Sequence, residues 1–422
     1  MDDLVIRFGG IVSSQVQSNP KRARNLLSAA YALTGFRDRL HRGSGIKHAY
    51  SQMNAIVSKS IVDAFQHPQN AVMVNIFFPC EMLHAMDITP MFPEGLAVYA
   101  TSTACETVFL EKAEDAGISE SLCSYHKAMI GLAETGVLPA PMLIANTSLA
   151  CDANQLSFRR LAEHYQIPHC AIDVPYLATS DAIAYVAEQL RGAAGAIEDA
   201  AHKKMDEQKL VEAVAASNRT IDRYRQFLAI RGTRSLPATM SGELLSLIAM
   251  HVFLGTEDSE RYVDALNGVA KNAPSKLSRK RILWIHTLPN WQDSMQAVLE
   301  QSGRCEIVGC DLTFDGLVNM DPEKPYESMA KRVVENSNNG SASRRIETIL
   351  EHAKKLHADG IVVFCHWGCK HTQGLSSLAK QSLEAEGYPT LILDSDGCDR
   401  RNVTDGQMIT RVHAFIEQLE NM

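Results

Sequence analysis

The apolar residues of this chain follow two kinds of pattern that alternate along it. Residues 71–78 (AVMVNIFF) and 361–364 (IVVF) are almost continuous apolar runs, which are typical of strands buried on both faces. After 361–364, apolar residues recur at helical spacing at Leu375, Leu378 and Ala379. This repeated change of period predicts an α/β fold in which helices cover both faces of parallel sheets.

The same patterns divide the chain into four predicted regions, two of which are Rossmann-like units with parallel sheets. Residues 1–68 are predicted to form a helical N-terminal cap, and 196–275 a set of bridging helices. The first α/β unit is expected at 69–195 and the second at 276–422. A chain of 422 residues is too long for one core and long enough for two such units.

Some finer elements of the two units are also predicted. In the first unit, the pattern predicts a strand at 96–99 and a single helix at 101–116, with Thr-Ser-Thr as its cap. In the second unit, a helix is expected at 291–301. Both units are then expected to expose the carboxyl ends of their strands, where open α/β sheets bind ligands.

Composition and charge exclude several classes of function. The net charge of −8 gives no electrostatic basis for binding nucleic acid. No apolar run approaches the roughly 20 residues that span a bilayer, and the N-terminal residues lack a basic region followed by an apolar run. The expectation is a cytoplasmic protein that binds neither nucleic acid nor membrane. Its ten cysteines are then expected to be reduced, with a subset free to bind metal.

Three cysteines stand where a thiolate is most stabilised. Cys123, Cys151 and Cys369 each precede a predicted helix, and the helix dipole lowers the pKa of a thiol there. Cys151 and Cys369 also follow strands of different units, so a shared site would lie in the cleft between the units. Their spacing matches neither a compact ferredoxin run nor a zinc finger.

The number of these cysteines, three, is chemically informative. A four-iron cluster normally takes four thiolates, so a cluster held by three keeps one iron with an exchangeable position. Such an iron can act as a Lewis acid and also pass an electron. A zinc hydrolase is a weaker hypothesis, since catalytic zinc seldom has three thiolates without a histidine or carboxylate.

Further side chains are candidates for the same site. Glu81 follows a strand and is predicted either as a general acid or base or as a carboxylate that complements a helix dipole. His366 flanks Cys369 and is predicted as a catalytic residue, with proton donation and hydrogen bonding to sulfur as its two open roles; His126 and His371 are similar candidates. Cys80, Cys105 and Cys365 are either additional ligands or buried thiols.

An ordered set of short motifs resembles a known family. The pieces are PCEMLHA (79–85) with Pro90, LCSYHK (122–127), ACD (150–152), Asp359-Gly360 before Cys369, and GQMITRVHAFIE (406–417). Together they resemble the cluster-holding component of the 2-hydroxyacyl-CoA dehydratase / benzoyl-CoA reductase family. The chain departs from the family pattern at Asp87, where glycine is usual.

The resemblance implies a function. Cys123, Cys151 and Cys369 would hold a [4Fe-4S] cluster, and a separate ATP-hydrolysing iron–sulfur activator would deliver one low-potential electron. The substrate would be an acyl-CoA or aryl-CoA thioester, reduced to a ketyl radical that in a dehydratase expels a hydroxyl group. The subunit would pair with a homologous subunit or with itself. Because the chain contains no Walker loop and no Gly-x-Gly-x-x-Gly motif, ATP use is assigned to the partner.

Two alternatives remain open. A sister group holds a double-cubane cluster with six cysteines and reduces other small molecules, but Cys80 and Cys105 do not stand where its extra ligands are expected, so a single cubane is favoured. A cluster-free homologue that supports an active partner is the other alternative. The substrate, a homodimer or heterodimer, and a bound flavin are left undetermined by the sequence.

Overall fold

The structure is a computed structural model that describes residues 3–41, 43–275 and 278–422. Three residues of the predicted N-terminal cap, at positions 1, 2 and 42, and the first two of the predicted second unit, at 276 and 277, lie outside the described residues. The domain limits stay predictions, although the elements below follow the same order along the chain.

The described residues form two four-stranded sheets, each with all strands parallel. The first sheet contains β1 (Ala71–Val74), β2 (Thr89–Met91), β3 (Leu143–Thr147) and β4 (His169–Ile172). The second contains β5 (Lys280–Ile285), β6 (Cys305–Cys310), β7 (Gly360–His366) and β8 (Thr390–Ser395). The strand orders are β2-β1-β3-β4 and β6-β5-β7-β8, so the two units share one topology. The predicted α/β fold with two Rossmann-like units is confirmed.

Helices surround and connect these sheets. The N-terminal helices are α1 (Asp3–Ser18), α2 (Pro20–Arg39) and α3 (Ile46–Gln66). The first unit adds α4 (Glu81–Ala85), α5 (Pro93–Ser102), α6 (Glu106–Asp115), α7 (Ser124–Glu134) and α8 (Asp152–Tyr165). The bridging helices are α9 (Ser180–Ala201), α10 (Glu207–Thr233), α11 (Met240–His251) and α12 (Glu257–Lys271). The second unit adds α13 (Asp293–Gln296), α14 (Pro325–Val334), α15 (Ala342–Lys355), α16 (Lys370–Ala385) and α17 (Asp405–Glu420).

The central strands of both sheets are buried on both faces. Every residue of β1, β3 and β7 is buried, and Trp284 of β5 lies fully inside the second unit. Parallel sheets need this burial because crossover helices cover both faces. None of the described helices has the length and apolar character needed to cross a membrane.

The strand predicted at 96–99 is wrong, because these residues belong to helix α5. Pro93 occupies the first turn of α5, where its missing N–H costs nothing and its fixed φ favours a helix. The edge strand β2 lies just before it and accommodates Pro90. The helix predicted at 101–116 is also interrupted, since Ala104 adopts a φ of 54° between α5 and α6.

In the second unit the predicted helix at 291–301 is shorter than expected. Only α13 is α-helical, and a π-helical turn, Ala297–Gln301, follows it. Helix α14 was not predicted from the sequence. It carries Arg332, whose side chain reaches back to the first unit.

Candidate functional site

Three cysteines from three helix starts line one pocket between the two units. Cys123, Cys151 and Cys369 are the residues immediately before α7, α8 and α16. The pocket has a volume of about 170 Å³, and all three cysteines line it. Because β3 and β7 are the third strands of their sheets, Cys151 and Cys369 occupy equivalent places at the carboxyl edges of the two sheets. We call this site the cysteine pocket.

A glycine allows two of the cysteine loops to touch. Gly368 has a φ of 78°, and a Cβ at this position would lie 2.5 Å from the backbone nitrogen of Cys123. Any larger residue would therefore push the turn before Cys369 away from Cys123. This contact between backbone atoms fixes the first unit against the second beside the pocket.

The three thiols are close enough to influence one another electrostatically. Burial raises the pKa of Cys123 well above its ordinary value, and the charges of Cys369 and Cys151 raise it further. Burial raises the pKa of Cys151 to about 12, again with a contribution from Cys369. Three thiolates at this site would therefore need a bound cationic group to hold them together.

Among the described residues, no group of three or more His, Cys, Asp or Glu side chains is arranged to hold a metal ion. A cubane cluster requires a different arrangement of ligands from that of a single metal ion. Each of its cysteines binds a separate iron atom, so the cysteine sulfur atoms lie around the cluster and not around one point. All ten cysteines are free, so none of the three is committed to a disulfide. The donor set of the pocket thus fits a cluster better than a single ion.

Each of the three cysteines has a histidine beside its sulfur. The Nε2 atom of His366 lies 3.2 Å from Cys123 Sγ, that of His286 lies 3.5 Å from Cys369 Sγ, and that of His126 lies 3.8 Å from Cys151 Sγ. Burial lowers the pKa of His126 to about 4 and that of His286 to about 3, so both rings are neutral at neutral pH.

The chain matches the family of the 2-hydroxyglutaryl-CoA dehydratase D-component over residues 75–419, which is well over half of its length. It belongs to this family. The relationship that the motifs indicated is confirmed, and the chain is a 2-hydroxyacyl-CoA dehydratase-like enzyme component.

Individual members of the dehydratase family are distant in sequence. The chain is 23% identical to the (R)-phenyllactyl-CoA dehydratase alpha subunit of Clostridium sporogenes, with 81% of this chain and 87% of that protein covered. It is 23% identical to the alpha subunit of the lactoyl-CoA dehydratase of Anaerotignum propionicum, with 81% and 89% covered. It is 21% identical to a benzoyl-CoA reductase subunit of Thauera aromatica, with 81% and 86% covered.

Of the two side chains predicted as catalytic, the structure brings only His366 into the cysteine pocket. Glu81 does not line the pocket. Its two carboxylate oxygens accept hydrogen bonds from Arg332 Nη2 at 2.6 and 2.7 Å, and Ser217 donates a further one at 2.9 Å. Glu81 begins α4, Ser217 lies on α10 and Arg332 on α14, so this group joins the first unit, a bridging helix and the second unit. We call it the Glu81 clamp.

The additional cysteines also lie outside the pocket. Cys365 precedes His366 on β7, so the two side chains point to opposite faces of the sheet, and its thiol hydrogen-bonds Ser376. Cys80 donates to the carbonyl of Phe78 at 3.4 Å. Cys105 Sγ is 3.3 Å from the hydroxyl of Thr103. These contacts are those of buried thiols with local partners.

Glu94, in the first turn of α5, is a pocket residue that the sequence analysis missed. The side chain is half-buried, but its Oε2 atom is shielded from water and has no hydrogen-bond partner among the described residues. Burial raises the pKa of Glu94 to about 8, only partly offset by the backbone N–H groups of Glu94 and Ile76. The carboxyl group is therefore largely protonated at neutral pH.

The remaining wall of the pocket is largely apolar. Its apolar lining comes from both units and from bridging helix α11, and includes Ile76, Phe92, Val98, Leu244, Leu247 and Ile248. An apolar wall with a few polar groups is typical of a small-molecule site. The pocket thus combines three thiols, a protonated carboxyl group and space for an apolar group.

Proposed function

We propose that this chain is the iron–sulfur component of a 2-hydroxyacyl-CoA dehydratase or a related acyl-CoA reductase. Cys123, Cys151 and Cys369 would hold a [4Fe-4S] cluster in the cysteine pocket. The observation that carries this proposal is the meeting of three cysteines, each at a helix start, in one buried pocket between the units. The partial positive charge of each helix start favours a thiolate.

The bound cluster would supply a Lewis-acidic iron with one open position and a low-potential electron for the carbonyl of a thioester. The chain itself provides the surroundings for that chemistry. The apolar wall formed by residues such as Phe92 and Leu247 would exclude water and hold the acyl or aryl group of the substrate. Few polar atoms would then compete for the reacting oxygen atoms.

Glu94 is proposed as the proton donor for the departing hydroxyl group. Expulsion of hydroxide is difficult unless the oxygen is protonated as it leaves, so a neutral carboxylic acid at the site assists it. The raised pKa of Glu94 keeps its proton in place at neutral pH, and its Oε2 atom is not engaged by another group of the described chain. The carboxyl group can therefore serve a ligand in the pocket.

Two protein partners complete the proposal. A separate ATP-hydrolysing iron–sulfur activator would deliver the electron, as the resemblance of the motifs implies, since the chain contains no Walker loop of its own. A homologous subunit, or a second copy of this chain, would complete the assembly. Support for the second partner is that the three relatives are each named as subunits.

The test is the content of iron and acid-labile sulfide in anaerobically purified protein, with electron paramagnetic resonance before and after reduction. We expect about four of each per chain and a signal that appears on reduction. About eight irons per chain would instead support the alternative of a double-cubane cluster. An absence of iron under strict anaerobic conditions would overturn the proposal and leave a partner subunit without a cluster.

A further inference from the structure

His366 is the histidine nearest to a sulfur atom in the cysteine pocket. It ends strand β7 and is fully buried, and its Nε2 atom lies 3.2 Å from Cys123 Sγ. A sulfur atom accepts hydrogen bonds at this distance. What the contact does depends on which nitrogen carries the proton.

The backbone fixes the tautomer of this ring. The N–H of Gly397 points at Nδ1 of His366 at 3.0 Å, and a backbone N–H can only donate. Nδ1 must therefore carry a lone pair, so the ring is neutral and its single N–H is at Nε2, aimed at Cys123. Asp396 Oδ1 lies 3.7 Å from Nδ1, but it already accepts a hydrogen bond from Ser124 and two from backbone N–H groups.

Packing holds the ring in this orientation. The ring of Tyr125 lies 5.0 Å from that of His366, centroid to centroid. The Tyr125 hydroxyl donates to the carbonyl of Gly397 at 3.0 Å, so the residue that fixes the tautomer is itself anchored. A Cβ at position 397 would lie 2.7 Å from this hydroxyl, which leaves room for glycine alone.

We propose that His366 is a fixed hydrogen-bond donor to the Cys123 sulfur and raises the reduction potential of the cluster. The inference rests on the proposed function. A donor next to a ligand sulfur stabilises negative charge there, and reduction adds negative charge to the cluster and its ligands. Such a donor therefore favours the reduced state.

This assignment separates His366 from the other two histidines. His126 Nδ1 has no hydrogen-bond partner among the described residues, and the His286 ring is engaged by the backbone of Phe364 rather than by a backbone N–H that fixes its tautomer. Their distances to sulfur are also longer, at 3.5 and 3.8 Å. We therefore expect the largest effect on potential from His366. Since its only proton is in a hydrogen bond to sulfur, His366 is a positioning and tuning residue and not a proton donor to substrate.

The test is a redox titration of the anaerobic holoprotein, followed by electron paramagnetic resonance, on His366→Leu and His366→Gln. Leucine removes the donor, so at a fixed solution potential we expect about a tenfold lower ratio of reduced to oxidised cluster, which corresponds to a shift of about 59 mV to more negative values. Glutamine has both an amide N–H for the sulfur and an oxygen for Gly397, and is expected to restore most of the potential.

His371→Leu is the matched control for His366→Leu. His371 lines the same pocket, but its ring contacts Arg345 and the carbonyl of Asn338 and no sulfur among the described residues. Its replacement is expected to leave the potential unchanged. A shift in this control as large as that of His366→Leu would overturn the inference, since it would reflect pocket polarity alone.

A second measurement tests for the hydrogen bond between His366 and the Cys123 sulfur even if His366→Leu does not fold. Pulsed electron paramagnetic resonance of the reduced wild-type cluster, in protein labelled with ¹⁵N-histidine, is expected to show a nitrogen coupling. About four irons per chain together with no such coupling would overturn the inference while leaving the proposed function intact. A chain that binds no iron would overturn the proposed function, and the inference with it.

Discussion

The Glu81 clamp and the cysteine pocket both place buried polar side chains between the two α/β units. In the clamp, both carboxylate oxygens of Glu81 have partners, and the charge of Arg332 balances the charge of Glu81. In the pocket, Glu94 Oε2 has no partner among the described residues, and Cys369 adds to the effect of burial in raising the pKa of Cys123 and of Cys151. The Glu81 carboxylate is therefore satisfied without a ligand, although Arg332 Nε has no partner among the described residues, whereas the Glu94 carboxyl group is not satisfied.

Whether the oxygen atoms of a buried carboxyl group have partners distinguishes structural from functional groups better than residue type does. Burying a charge is costly unless its partners satisfy it, so a carboxylate whose two oxygen atoms both have partners can exist for stability alone. An incomplete network in a pocket retains atoms for a ligand. Glu81 and Glu94 are both carboxylates at helix starts, yet of the two only Glu94 lines the pocket and has an oxygen atom without a partner among the described residues.

The largest expected effect comes from removing a cysteine of the pocket. Cys369→Ser replaces a thiolate with a hydroxyl group, which is a poor ligand for iron–sulfur clusters. We expect the iron content of anaerobically purified protein to fall from about four per chain to near zero, and activity to be lost with it. Iron and sulfide analysis checks this directly.

Cys365→Ser is the matched control for that experiment. Cys365 lies four positions before Cys369, near the end of the strand that leads into the same strand-to-helix connection, but outside the pocket. The variant is expected to keep its iron. Equal losses of iron in both variants would assign the effect to the folding of this connection rather than to ligation.

The next largest effect concerns Glu94. Glu94→Gln keeps the shape of the side chain and removes the acidic proton, so we expect kcat to fall by about 10²- to 10⁴-fold. The assay is dehydration of the best substrate from a panel of 2-hydroxyacyl-CoA thioesters, in the presence of an activator. Iron content is expected to remain at the wild-type value. A variant with full kcat would remove Glu94 from the proposed mechanism.

Breaking the clamp is expected to reduce stability rather than chemistry. Arg332→Met leaves the Glu81 carboxylate buried without its counter-charge, which should lower the free energy of unfolding by about 3–5 kcal/mol. Denaturant unfolding measures this loss. Adding Glu81→Gln to Arg332→Met is expected to recover part of it, because the unpaired charge is then removed.

The control for the clamp is another ion pair on the same helix. Arg191 pairs with Glu327 of α14, but both side chains are partly exposed to solvent, at 40% and 43%. Arg191→Met is therefore expected to cost less than about 1 kcal/mol. Similar losses for Arg191→Met and Arg332→Met would contradict the view that burial makes the clamp important.

The sequence was sufficient to predict that each of the three cysteines lies just before a helix, because this position depends only on the local pattern of residues. A strand, a turn and a helix follow one another around Cys369, and their order places it at the edge of a sheet. The partners of Glu81 depend on distant pairing. Arg332 lies 251 positions away on a helix that the pattern did not predict, so its contact with Glu81 could not be anticipated.

Glu94 was missed for a different reason. Pro93-Glu94 is an ordinary helix start in which a glutamate complements the dipole, and the incorrect strand at 96–99 left no helix for it to begin. The role proposed for it follows from the pocket around it, which is built by both units and α11. Whether a buried oxygen atom has a hydrogen-bond partner depends on how the chain folds, so it could not be predicted from the sequence.

The most gradual effect we predict is on the pH dependence of stability, and it also depends on Glu94. Its pKa is about 8 in the folded protein and near 4.5 when exposed, so between these pH values the folded state binds a proton that the unfolded state lacks. Stability must then fall as pH rises through this window, by up to about 1.4 kcal/mol per pH unit, and level off above the folded-state pKa. Glu94→Gln cannot titrate, so unfolding of the two proteins from about pH 5 to about pH 9 should show stability curves that diverge, with the variant relatively more stable at high pH. Parallel curves would mean that Glu94 is already ionised in the folded protein, which would place it with the partnered carboxylates of the clamp and not with the reactive groups of the pocket.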